Sequence, residues 1–207
     1  SQFQECGPGE YTIRNSFMKV DPTHQYEPRA YKGPETEVFG FFDTVRMTYD
    51  GQDGIREQNK KRFINRHNIW VDPYNADGTV KPYNQRLAKP IVYHVNPDWP
   101  SPEEDPVLNE TAQKVADDWN RVFMNVITQL QARPPAGGRM YVLCPNNPVV
   151  EGDPAECGEA GTRPRMGDIR YSFMAYVPDY MTYGLLGLGP SNTDPETGEI
   201  YSGMGYV

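Results

Sequence analysis

Apolar and polar residues alternate in several stretches of the chain, and in one long stretch the apolar residues recur every three and four positions. Within residues 168–177, Ile169, Tyr171, Phe173, Ala175 and Val177 alternate with Asp168, Arg170, Ser172, Met174 and Tyr176. A period of two predicts a strand with one face against a core. The same period in Phe39, Phe41, Val45, Met47 and Tyr49, broken at Asp43, predicts a strand over residues 38–49. A third strand is predicted over 89–96, with Ile91, Tyr93 and Val95 on one face and His94 on the other. Shorter strands are expected over 139–144 and 199–207, and a short helix over 55–68. Turn chemistry separates these elements at Asp50-Gly51-Gln52-Asp53-Gly54, at Asn75-Ala76-Asp77-Gly78-Thr79, and at Asp194-Pro195-Glu196-Thr197-Gly198.

The spacing of three and four belongs to Leu108, Ala112, Val115, Ala116, Trp119, Val122, Phe123, Val126, Ile127 and Leu130. It predicts a long helix that lays one continuous apolar stripe on a core. Two start signals precede it. Ser101-Pro102-Glu103-Glu104 has the form of a capping box, and Asp105-Pro106 follows at once. Arg133-Pro134-Pro135 ends it, because proline removes an amide donor and clashes with the preceding turn.

From residue 89 the order is therefore strand, long helix, strand, loop, strand, glycine-rich segment and hairpin strand. A helix between strands predicts a right-handed crossover joining parallel neighbours, and the final hairpin adds an antiparallel partner. The expected fold class is α+β: a twisted mixed sheet with one long packed helix, preceded by an extended and β-rich N-terminal region. Residues 1–37, rich in proline, glycine and charge, are expected to form an extended arm lying on the surface of another body. Residues 38–88 form the β-rich region and 89–207 the helix-and-sheet unit.

Composition narrows the function classes. The net charge of −8 argues against a nucleic-acid surface. The local basic run of Arg56, Lys60, Lys61, Arg62 and Arg66 reads as a solvated face or a set of ion-pair partners. No apolar run approaches the ~20 residues that span a bilayer, so no transmembrane segment is expected. Twenty prolines and 19 glycines imply many loops, which the 14 tyrosines and 8 phenylalanines must offset in the core. Cys144 and Cys157 flank a loop of proline, asparagine, aspartate and glycine whose turns can bring the sulfurs together, the alternative being two unpaired thiols. A disulfide there contributes about 3 kcal/mol and points to a secreted or cell-surface setting, periplasmic or outer-membrane-associated included. Cys6 is left over, to be free, lipid-bearing or paired outside the chain.

Chemistry is harder to find. His24, His67 and His94 share no helical spacing and no H-E-x-x-H, so each reads as a surface or packing histidine. The acidic stretch at 72–77 fails as a calcium loop, because Pro73 and Asn84 fall where carboxylates are needed. Glu103 and Glu104 fit helix capping, while Glu196 and Glu199 fit the turn and the strand edge. No catalytic residue, metal ligand or cofactor is assigned within this chain. The segment Gly184-Leu185-Leu186-Gly187-Leu188-Gly189-Pro190 carries little bulk and suits an exposed edge that another backbone can approach.

Several segments together resemble the first half of a metzincin-type zinc peptidase domain: KPIVYHVNPDWP, the helix containing VADDWNRVF, GDIRYSFMAYV, and GLGPSNTDPETGEIYSGMGYV. They are most similar to a group of large secreted or lipid-anchored bacterial metzincin-like proteins, and FGFFDTVRMTYDGQDG and NRHNIW look like segments that precede the peptidase domain there. The likeness spans residues 38–207. It implies that the strand before the DPETGEI turn is a sheet edge bordering the active-site cleft, along which a peptide or protein substrate lies antiparallel. Leu186, Gly187, Leu188 and Gly189 would then bind substrate. It also implies zinc for the parent protein, held by an H-E-x-x-H helix outside this chain. Two readings follow. The chain is part of a secreted zinc metallopeptidase whose partner is the remaining segment of the same precursor, or it is a non-catalytic structural module. In the second case its edge strand and N-terminal arm make subunit contacts, as in a homo-oligomer.

Overall fold

Asp105 decides where the long helix begins. The computed structural model describes residues 12–19, 21–32, 38–179 and 189–207, apart from the side chains of 57 and 58. In it the capping box is made: the Ser101 amide donates to Glu104 Oε2 at 2.8 Å, and the Glu104 amide to Ser101 Oγ at 3.3 Å. Yet it closes only a turn. Asp105 precedes a proline, a position from which the α conformation is disfavoured. Helix α1 (Pro106–Gln131) starts after it, with the Asp105 side chain accepting from the Leu108 amide at 2.9 Å. Ala132 stops the helix in a left-handed conformation, φ 55°.

Two sheets flank this helix in sequence. β1 (Asp43–Asp50) and β2 (Gly54–Ile64) form an antiparallel hairpin. The expected helix over 55–68 is thus a strand, followed by β3 (Arg66–His67). Its straight-chain polar residues suit a helix, but the Asp50 carboxylate accepts from the amides of Gln52 and Asp53 and folds the chain back onto β1. In the basic run Arg62 pairs with Asp43 at 2.6 Å and Arg56 with Asp53. The hairpin-like turn at Asn75–Thr79 is present, flanked by a Tyr74–Val80 bridge.

The larger sheet has the order β3-β8-β6-β4-β5, with β7 paired to β8. Its members are β4 (Ile91–Val95), β5 (Tyr141–Cys144), β6 (Ser172–Ala175), β7 (Ser191–Thr193) and β8 (Glu199–Tyr206). β4 and β5 run parallel across the α1 crossover, as expected. β6 and β3 are also parallel to their neighbours, and β7 alone is antiparallel. The strand expected over 168–177 shortens to four residues. Asp168 instead turns the chain, accepting from the Tyr171 amide and gripping Arg170. Ser172 and Phe173 are both buried, because an interior parallel strand is covered on both faces.

α1 packs Ala112 and Ala116 against Val95 and Leu143, and Ile127 against Trp70 and Met140. Asn120 adds a polar tie, its Oδ1 accepting from the amides of Met140 and Tyr141 at 2.8 and 3.2 Å. The apolar stripe, however, is not continuously buried. Val115, Trp119, Val122 and Val126 keep 41%, 50%, 47% and 47% of their surface exposed. Ten apolar positions span a wider arc than the half-sheet beneath them can cover.

The described arm lies on this chain's own fold. Ala30 bridges Phe63, the Tyr31 amide donates to Arg62 O at 2.8 Å, and the Ile64 amide to Arg29 O at 2.9 Å. On the far side, Cys144 and Cys157 form the expected disulfide, with Cα atoms 5.6 Å apart in a cluster with Val142 and Val149.

Candidate functional site: a sheet edge beside an apolar groove

The turn between β7 and β8 is built around one carboxylate. Asp194 Oδ1 accepts from the Glu196 amide at 2.8 Å, and Oδ2 from the Thr197 hydroxyl at 2.9 Å and the Tyr201 hydroxyl at 3.2 Å. Gly198 sits at φ 75°, where a Cβ would lie 2.9 Å from the Ile64 carbonyl oxygen. The Gly198 carbonyl accepts from the Arg66 amide at 3.1 Å, which docks β3 on β8. Glu199, buried, faces the arm, with its two oxygens 2.9 and 2.7 Å from His24 Nε2. DPETGEI therefore joins the N-terminal region to the sheet. Replacing Gly198 with alanine adds both left-handed strain and a backbone clash, and is expected to cost about 2 kcal/mol in urea unfolding.

This turn fixes β7 as a sheet edge. The Pro190 carbonyl accepts from the Met204 amide at 2.9 Å. By the alternation of antiparallel pairing, the backbone groups of Ser191 face away from β8. Among the described residues β7 pairs only with β8. The hairpin braces its far end, where Thr44 donates to Thr193 at 3.4 Å and Arg46 pairs with Glu196 at 3.1 Å. Of the four residues expected to bind substrate, Leu186, Gly187 and Leu188 lie outside the described residues. Gly189 is described, and lines the same depression as Pro190 and Ser191.

That depression is an apolar groove of about 430 Å³ between α1 and the β6–β8 half of the sheet. One wall carries Val115, Trp119 and Phe123, and the floor Tyr93, Tyr141, Met174 and Gly203. Aromatic rings stack along it: Trp119 on Phe123 with centroids 5.4 Å apart, and Tyr93 on Tyr141 at 5.5 Å. Tyr93 fits because residue 203 is glycine, since a Cβ there would lie 2.3 Å from the tyrosine hydroxyl. His67 meets the edge of Tyr93 at 6.2 Å. Burial pushes both tyrosine hydroxyls above their ordinary pKa, and lowers that of His67 to about 4.

The His67 shift gives a signed pH dependence. The folded pKa lies below the unfolded value of 6.5. Between pH 6.5 and about 4 the unfolded chain takes up a proton that the folded chain refuses. Stability contributed by neutral His67 is complete above 6.5 and falls as pH drops through that window, by about 1.4 kcal/mol per unit. Between pH 7.5 and 5 the wild type is expected to lose about 2 kcal/mol more than His67→Phe in urea unfolding.

The other histidines lie elsewhere. His24 is on the arm, and His94 is buried on the opposite sheet face, its Nε2 donating to the Cys157 carbonyl at 3.3 Å. Among the described residues no three histidine, cysteine, aspartate or glutamate side chains come together to hold a metal, so the described residues do not form a zinc site. None of their helices is long and apolar enough to cross a membrane. The sequence marks His67 only as a surface or packing histidine, and the expected edge residues 186–189 stop short of β7, since neither a lone histidine nor Ser191-Asn192-Thr193 carries a periodic signal. In the sequence Tyr93 is one member of an alternating face. No family model, curated protein or solved structure matches the chain.

Proposed function

We propose that this chain supplies the sheet and the peptide-pairing edge of a secreted or cell-surface zinc metallopeptidase of the metzincin type, the zinc-binding segment lying outside it. One observation carries this reading. The strand leading into the Asp-Pro-Glu-Thr-Gly-Glu-Ile turn is an antiparallel sheet edge with outward-facing backbone at Ser191, bordered by an apolar groove. An extended peptide or protein substrate adds to such an edge by main-chain hydrogen bonds. The chain's own part is to bind and align the peptide, and zinc, where bound, supplies an activated water. The buried Cys144–Cys157 disulfide supports an oxidising compartment.

The test is made on the natural gene product that contains this sequence. It should hold about one zinc per molecule and cleave protein in a chelator-sensitive way. Ser191→Pro removes one outward amide donor at an edge position that tolerates proline. It is expected to raise KM for an extended peptide about ten-fold with little change in kcat, the equivalent of one hydrogen bond. A homogeneous 23.5 kDa species that forms regular oligomers without zinc would instead support the structural-module reading.

A further inference from the structure

We propose that the N-terminal arm and the loop leading into β6 together form a site for a phosphate group, held by Arg14, Lys19, Arg165 and Arg170. The site shares no lining residue with the apolar groove and needs nothing from the peptidase reading. In a chain of net charge −8, residues 12–19 and 163–170 carry five basic residues against one acidic. The fold brings these two distant segments together. Arg14 Nη1 donates to the Met166 carbonyl at 3.2 Å, and the Ser16 hydroxyl donates to the Gly167 carbonyl. Gly167 turns the loop at φ 85°, and the Arg14 stem lies across it, 3.5 Å from where a Cβ would stand. Between arm and loop lies an open depression of about 390 Å³.

The charges in that depression are out of balance. Four cations line it, and Asp168 is the only carboxylate among the described residues that do. Asp168 is already committed. It accepts from Arg170 Nε at 3.0 Å and Nη2 at 2.6 Å, which leaves Nη1 free among the described residues. Arg14, Lys19 and Arg165 have no ion-pair partner among the described residues. Like charges gathered in one place repel, and a bound anion relieves that repulsion. Its chemistry follows from the donors. Guanidinium groups present planar forks of N–H that meet oxyanions two bonds at a time, and Lys19 adds a point charge. A carboxylate would answer one cation, as Asp168 does for Arg170. A phosphate, with more oxygens to offer, is shared by several. The group belongs either to a free ion or to a lipid headgroup. Phe17 lines the same depression and is 94% exposed, so in the second case it would lie at the membrane interface.

The test uses the natural gene product that contains this sequence, at constant ionic strength. One arm titrates inorganic phosphate by calorimetry. The other sediments the protein with phosphatidylcholine vesicles, with and without about one-third phosphatidylglycerol. Binding in the first arm, with a roughly millimolar Kd, supports the site and assigns it a free ion. Binding to the anionic vesicles alone supports it and assigns a lipid headgroup. In whichever arm binds, Arg165→Gln combined with Lys19→Gln should weaken binding about ten-fold. Both side chains are exposed, so the melting temperature of that variant should stay unchanged. Arg133→Gln removes an exposed cation past the end of α1, and should change binding by less than about two-fold. No binding in either arm overturns the proposal. So does binding that appears only with vesicles and is equal with and without the anionic lipid. An equal loss in Arg133→Gln also overturns it, because the effect is then one of overall charge.

Discussion

Replacing Glu27 with alanine lowers the stability of the fold by about 3 kcal/mol, read as a urea midpoint or as a melting temperature about 6–12 °C lower. The reason lies in its partner. Arg86 is only 2% exposed, and its Nη1 donates to Glu27 Oε2 at 2.7 Å. Nε donates to the Lys81 carbonyl, and the guanidinium lies 4.5 Å from the Tyr83 ring centroid, so the group is held in place with or without the carboxylate. Removing Glu27 leaves a buried cation without its counter-charge, which costs far more than an exposed pair is worth. Because Glu27 itself keeps a quarter of its side chain in solvent, the loss falls at the low end of the range for buried pairs. The arm's backbone contact, in which Arg66 donates to the Glu27 carbonyl, survives the substitution. Adding Arg86→Met to Glu27→Ala should therefore recover most of the loss. If the double variant is no more stable than the single one, the buried charge is not the cause.

Converting both Cys144 and Cys157 to alanine should cost about 4 kcal/mol. Closing a loop with a sequence separation of 13 residues contributes about 3 kcal/mol through the unfolded chain. Both sulfurs are almost wholly buried beside Val142 and Val149, so their removal leaves a void worth about 1 kcal/mol more. A reductant applied to the native protein should act slowly, since no sulfur is open to attack without local opening. Denaturant curves of the double alanine variant and the wild type give the first number. Thiol release with time under dithiothreitol, with and without urea, gives the second. Rapid native-state reduction would show the loop to be far looser than its packing implies.

The long helix was legible in the sequence because its signal is periodic and its ends are chemical: Asp105-Pro106 at one and Pro134-Pro135 at the other. The parallel crossover followed from strand, helix and strand in that order. Residues 55–68 misled because Arg56, Lys60, Lys61 and Arg62 suit a helix locally, and only pairing with β1 makes them a strand. The short strand at 172–175 misled in the other direction. Its flanks alternate, but Asp168 and Arg170 lock each other into a turn that periodicity does not register. The site was less legible than the fold. The turn residues pointed to an edge, yet the groove depends on which half of the α1 stripe meets the sheet. That is settled by strand order, which a single sequence does not display. His67 belongs to the groove only because Gly198 brings β3 alongside β8.

The pairing of His24 with Glu199 joins residues 175 positions apart. During synthesis His24 emerges long before Glu199, and through that interval the arm lacks this contact. Contacts this distant in sequence close late and slow the approach to the native state. Until then residues 21–32 are held by the β-rich region, through Ala30 on Phe63, Tyr31 on Arg62 and Glu27 on Arg86. Once Glu199 arrives, His24 is tied to the sheet as well. Resistance to cleavage beside His24 is accordingly a sensitive report that β8 has docked.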